Sequence, residues 1–345
     1  MRTILFTALT SIALTAGVWS NERITTGEGS EGVGFDPLTQ TAVVANQTAG
    51  TISIVDVKAR QLVNTIEVGG FPVGAKIDQG AHTVIYTDKK DGAVVLFDLD
   101  SGSEQARLPV GANPSCVGLA PGINTAVVAS IDESRVSVID LTGPSILRTI
   151  EVGPAPICMH WAIDPQTLTA TVVSAGEGTL QLLDIAEGTV LKSIPVGNFP
   201  VGPSRHLATN TAIVPLNADN AAAIVDLTAG EVLHTVPTGA GPICSVVHQG
   251  ANVAFVSNLV ELPGVGDGSV SVIDMSTGAL LGTIDGVGEG TVCMGLDEEQ
   301  GLLMVSSRFP GDLWLIDIQE YLTGPPTAAE VEPWGAVKAS IHLSK

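Results

Sequence analysis

The sequence predicts an all-β fold, a seven-bladed propeller of four-stranded antiparallel blades, and three observations predict it. The segments TISIVD, AVVLFD, RVSVID, TLQLLD, AAAIVD, SVSVID and DLWLID end at Asp56, Asp98, Asp140, Asp184, Asp226, Asp274 and Asp317, at intervals of 42, 42, 44, 42, 48 and 43 residues. Each is a short run of Val, Ile and Leu closed by turn formers such as DSG, LTG or STG, which reads as a buried strand and its turn. Beyond residue 20 no segment of helical length spaces its apolar residues at three and four. Repeats of this period with several strands apiece build propellers, whose sheets pack face to face around a central channel.

The remaining strands of each copy follow in order. About ten residues after most of the repeat aspartates comes an outer strand ending in a glycine turn, as in NTIEVGGFP, ARLPVGANP, RTIEVGPAP and KSIPVGNFP. An inner strand entering through that turn and a second one such as TAVVAN or TVIYTD complete four per blade. Blade seven lacks its own outer strand, because the stretch after Asp317 carries Pro325 and Pro326, which a sheet interior excludes. The missing strand is expected at the other end of the chain. Ile24-Thr25-Thr26-Gly27 aligns on Ile66-Glu67-Val68-Gly69 at an offset of 42, which also carries Gly32 to Gly74 and Asp36 to Asp78. Arg23 to Thr26 should therefore close the ring. Residues 1–20, with Arg2 before an apolar run from Ile4 to Val18, read as a signal peptide. The division is 1–20 signal peptide, 21–323 propeller and 324–345 C-terminal tail, in an exported protein, periplasmic or extracellular.

TISIVD with GGFPVG, and SVSVID with STGALLGTI, resemble the YVTN-type repeat, a strand ending in Asp, a turn, and a VGxxPxG link between blades. The resemblance spans nearly all of residues 21–323. It implies the propeller, and it leaves function open, since repeats of this type occur in surface-layer proteins, redox-enzyme heavy chains and binding proteins.

Lys and Arg number 15 against 36 Asp and Glu, so phosphate backbones and anionic lipid are repelled, and neither nucleic acid nor membrane insertion is expected. Gly27-x-Gly29-x-x-Gly32 matches a dinucleotide fingerprint in letters but precedes a strand, and Asp98-x-Asp100-x-Gly102 is a strand turn where a Ca²⁺ loop would need more. His206 and His248 take the place of Asp36, Asp78 and Asp297 at the turn after the inner strand, a capping position.

The cysteines carry the most chemistry. Counted from the link glycine, one inner-strand position is Gly32, Gly74, Cys116, Cys158, Gly202, Cys244 and Cys293, so all four Cys share one ring around the channel. Three readings are open. They are small buried thiols, two disulfides joining neighbouring blades as Cys116–Cys158 and Cys244–Cys293, or thiolate ligands that with His160 hold a soft metal, Cu or Zn. Blade six adds a loop of about six extra residues carrying Glu261 and Asp267, on the face of the blade links.

The function expected from this is a non-catalytic binding or scaffold propeller, presenting its blade-link face to a protein partner or small-molecule ligand. Its candidate binding residues are Cys116, Cys158, His160, Cys244, Cys293, Glu261 and Asp267. No cofactor is required. Two alternatives stand beside it. One is a metal-binding or electron-transfer component using the Cys ring. The other is a propeller lyase, lactonase or hydrolase drawing on Asp88, Asp132, Arg135, His160, Arg205 or Arg308.

Overall fold

The computed structural model describes residues 21–78, 82–120, 122–157, 162–259, 264 and 266–322. The expected signal peptide and the whole of the expected tail lie outside them, as do Cys158, His160 and Glu261.

Seven four-stranded antiparallel sheets form the ring. Blade one is β2 (Ser30–Asp36), β3 (Thr41–Asn46), β4 (Thr51–Asp56) and β5 (Gln61–Glu67), numbered from the channel outward. Blade two is β6 (Pro72–Asp78) to β9 (Ser103–Pro109), and blade three β10 (Pro114–Ala120) to β13 (Ser145–Glu151). Blades four, five and six run from β14 (Ala162–Asp164) to β17 (Thr189–Pro195), from β18 (Ser204–His206) to β21 (Glu231–Pro237), and from β22 (Pro242–His248) to β25 (Leu280–Asp285). Blade seven is β26 (Glu289–Asp297), β27 (Leu302–Phe309), β28 (Asp312–Asp317) and β1 (Glu22–Thr25). β1 pairs antiparallel with β28, Glu22 opposite Leu315 and Thr25 opposite Asp312. The N-terminal strand thus closes the ring as expected, one residue earlier than the sequence alignment places it.

Burial explains why the middle strands read as apolar runs. β3, β7 (Thr83–Asp88) and β15 (Thr169–Ser174) are buried on both faces because each sheet is sandwiched between its neighbours, whereas β5 and β9 are exposed along nearly their whole length. The outer strands still bury one anchor apiece at Ile150, Ile194, Val236 and Ile284. The repeat aspartate has a plain cause. Its carboxylate accepts backbone N–H bonds from the turn that follows, Ala59 to Asp56 at 2.7 Å, Ser101 to Asp98 at 2.7 Å, Thr228 to Asp226 at 2.7 Å and Gln319 to Asp317 at 2.9 Å. At the inner turn Asp36 and Asp297 do the same, and His206 and His248 replace them through Nδ1, accepting from Thr209 N at 3.3 Å and Ala251 N at 3.1 Å.

The inner strands approach one another so closely that glycine becomes obligatory. A Cβ on Gly32 would lie 2.8 Å from Gly74 Cα, and one on Gly74 would lie 2.8 Å from Cys116 Cβ and overlap Cys116 Cα. At the same level the register slips between Pro72 and Ala75, between Pro242 and Cys244, and between Thr291 and Met294. The bulge releases one N–H from the ladder, and a hydroxyl of the second strand accepts it: Gly74 N to Thr87 Oγ1 at 3.0 Å, Cys244 N to Ser257 Oγ at 3.2 Å, Cys293 N to Ser306 Oγ at 3.1 Å. Ser257 then donates to Val292 O in the next blade at 2.6 Å, so the same hydroxyl that caps a bulge also fastens two blades.

Candidate functional site

The ring position shared by glycine and cysteine forms a plug across the channel. Cys116, Cys244 and Cys293 are buried, at 2%, 0% and 2% exposure, and pack with Val33, Val73 and Val292 in one apolar cluster drawn from blades one, two, three, six and seven. Cys293 lies between the other two and interacts with both. These interactions with Cys116 and Cys244, together with full burial, push its thiol well above the usual range. Cys244 moves the other way, chiefly because Cys293 hydrogen-bonds to it, with Lys76 adding a positive charge nearby. Cys244 and Cys293, expected as a disulfide pair, stand beside one another with no bond between them in this structure. The expectation paired neighbours around an open ring. Gly32 and Gly74 instead let the strands close in, so that Cys116 also meets Cys293 across the axis. The other expected pair, Cys116–Cys158, falls on a residue outside those described. Among the described residues no group of three or more His, Cys, Asp or Glu side chains is arranged to hold a metal ion.

Below the plug, toward the inner turns, the channel opens into a cavity of about 300 Å³. Its walls come from the inner strands and turns of six blades: Val33 and Phe35; Lys76; Ile163; Ser204, Arg205 and Leu207; Val246, Val247 and Gln249; and Gly295, Leu296 and Glu298. This is the end opposite the blade links, where the sequence pointed. Its floor ring is Gly34, Lys76, Gly118, Ala162, Ser204, Val246 and Gly295, two residues past the plug in most blades, and all but two of these are small. Small residues leave the space, and Lys76 is the single charge in the ring.

The polar groups of the cavity differ in how far they are committed. Arg205 is buried at 7% exposure. Its guanidinium donates to Thr169 Oγ1 at 2.9 Å and to Asn210 Oδ1, and pairs with Asp164 at 3.4 Å, while its Nε has no partner. Burial lowers its pKa against the pull of Asp164. Glu298 accepts from Gln249 N at 3.0 Å and stands 3.5 Å from His248 Nδ1. Lys76 Nζ donates to Val33 O at 3.0 Å. Among the described residues no carboxylate oxygen lies within 4.0 Å of that ammonium.

Among the described residues, those expected for catalysis are each held in local pairs of their own. Asp88 is buried and held by Phe71 N at 3.0 Å and Arg107 Nη1 at 3.0 Å, Arg135 pairs with Glu133 at 2.7 Å, and Asp132 accepts from Asn113 at 3.2 Å. Arg308 clamps Glu31 Oε1 through Nε and Nη2, both at 2.8 Å. Glu31 escapes a sequence reading. It is 3% exposed, its Oε2 is buried without a partner, and burial pushes its carboxyl up against the pull of Arg308 and Lys89. The signal is there in the repeat, where the equivalent residues Val73, Ser115, Val201, Ile243 and Val292 carry no charge. Asp267 is exposed on the blade-six loop, far along the chain from any of these ion pairs.

No family model matches the chain, and no curated protein does. Among solved structures it is similar to hydrazine synthase of Kuenenia stuttgartiensis, with a TM-score of 0.74 and 16% identity over 85% of this chain and 96% of that one. The fold is a seven-bladed β-propeller. Since 1636 solved chains match it, the likeness identifies a scaffold and assigns no activity. Among the described residues no helix is long and apolar enough to cross a membrane.

Proposed function

We propose that this chain is an exported binding propeller whose ligand site is the axial cavity beneath the thiol plug, and that it acts by capture and not by catalysis. The observation that carries this is the cavity itself. It is concave, bordered through Val33 by the cluster that holds the buried thiols, lined by Val33, Phe35, Ile163, Val246 and Leu296, and provided with a few fixed polar groups, the usual make-up of a small-molecule site. Catalysis is disfavoured by the commitment of its ionisable groups: among the described residues Arg205 is spent on Asp164 and Asn210, and Glu298 on Gln249 N and His248.

A leucine at Gly295 tests this. An ideal Cβ there meets Val33 Cγ1 at 3.1 Å and Met304 beyond, side chains that can yield, and the rest of the leucine fills the cavity. Compounds that raise the Tm of the parent protein in a small-molecule panel are expected to leave Gly295→Leu unshifted, with Leu296→Trp at the rim as a second variant. Equal stabilisation of parent and both folded variants would place the ligand elsewhere and overturn the proposal.

A further inference from the structure

The geometry points to the class of molecule this cavity takes: a small monocarboxylate with an apolar body, its carboxylate on Lys76 and its body against Val33, Phe35, Ile163 and Leu296. This rests on the axial cavity being the ligand site. An ammonium that enters a largely apolar recess loses hydration, and it is stable there when donors and charge are matched. Lys76 has three N–H donors. One goes to Val33 O at 3.0 Å; no carboxylate among the described residues lies within 4.0 Å to balance the charge. The position is not one where lysine is merely tolerated, because its equivalents around the ring are Gly34, Gly118, Ala162, Ser204, Val246 and Gly295.

The charge of the ligand follows from the rest of the wall. Glu298 lines the cavity and Asp164 sits behind Arg205, so one added negative charge is matched by Lys76 and a second would meet like charge. The chain also carries 36 acidic against 15 basic side chains, and its long-range field repels anions. A dianion such as phosphate is therefore a poor fit, and the apolar wall supplies the remaining attraction that a bare ion could not use. A volume of about 300 Å³ suits a benzoate or a short fatty acid.

The test uses benzoate and hexanoate as probes, with benzamide and hexanamide as neutral isosteres, measured by calorimetry and thermal shift on the whole protein. The carboxylates should bind about ten-fold tighter than the amides, the effect of one charge-assisted hydrogen bond. Lys76→Met should abolish that preference and Lys76→Arg should keep it, both variants melting close to the parent. Amides that bind as well as acids, inorganic phosphate that binds as well as benzoate, or a preference that survives Lys76→Met would each overturn the ligand class while leaving the cavity in place. Binding that also survives Gly295→Leu would instead remove the cavity as the site, and failure of every probe to bind would overturn the carboxylate assignment.

Discussion

Removal of residues 21–27 is expected to cost about 5 kcal/mol, much of the roughly 5–15 kcal/mol margin of a typical domain, and to lower Tm steeply. β1 is the outer strand of blade seven, and without it the ring is held together there only by side-to-side packing of blades one and seven. Ile24 is 8% exposed and belongs to the same apolar cluster as Leu313 and Leu315; its burial contributes about 2 kcal/mol. The ladder to β28, the bond from Thr25 Oγ1 to Asp312 at 2.9 Å and that from Thr26 N to Gly311 O at 3.0 Å add about 1 kcal/mol apiece. Arg23→Ala is the control, since that side chain is 56% exposed and its ion pair at 3.8 Å should contribute little. A truncated protein that melts with the parent would mean that β1 is an accessory strand and the ring is closed by something else.

Gly74→Val should destabilise by about 3 kcal/mol or more, at the upper end of what overpacking a core costs. The added atoms would meet backbone, because the Cβ position lies 2.8 Å from Val117 N and closer to Cys116 Cα. No rotamer change relieves that. For the same reason a second change, Cys116→Gly, should not restore stability, although it removes the Cys116 side chain from the contact. Gly143→Ala, with nothing within 4 Å of the new atom, should leave the urea midpoint in place. Rescue of Gly74→Val by Cys116→Gly would show that the ring closes around side chains and not around backbone, and the account of the plug would have to change.

These two predictions also mark what a reader of the sequence can and cannot obtain. The blades are legible because each middle strand is buried on both faces and so runs apolar for five or six residues before its aspartate. Closure is legible because Ile24-Thr25-Thr26-Gly27 keeps the offset of the repeat. The ring of Gly and Cys can be counted from the link glycine, but its diameter depends on how tightly β2, β6 and β10 pack, and a diameter is not written in a spacing. That is why the spacing shows neighbouring cysteines but not that Cys293 faces both Cys116 and Cys244. Lys76 and Glu31 are visible as the lone charges at their repeat positions. Composition hides them, since one lysine among 15 basic residues draws no notice until the ring places it in the cavity. The cavity itself comes from what the floor ring lacks, side chains larger than a methyl or hydroxymethyl at Gly34, Gly118, Ala162, Ser204 and Gly295.

The measurement that bears most directly on the axial site is a crystal structure with 4-bromobenzoate, located by the anomalous scattering of its bromine. The carboxylate is predicted beside Lys76 Nζ and the bromine toward the rim formed by Phe35 and Leu296, with the thiols of Cys116, Cys244 and Cys293 above and untouched. A bromine peak at the blade-link face, by Arg308 and Glu31 or on the blade-six loop, with the axial cavity filled only by water, would contradict it.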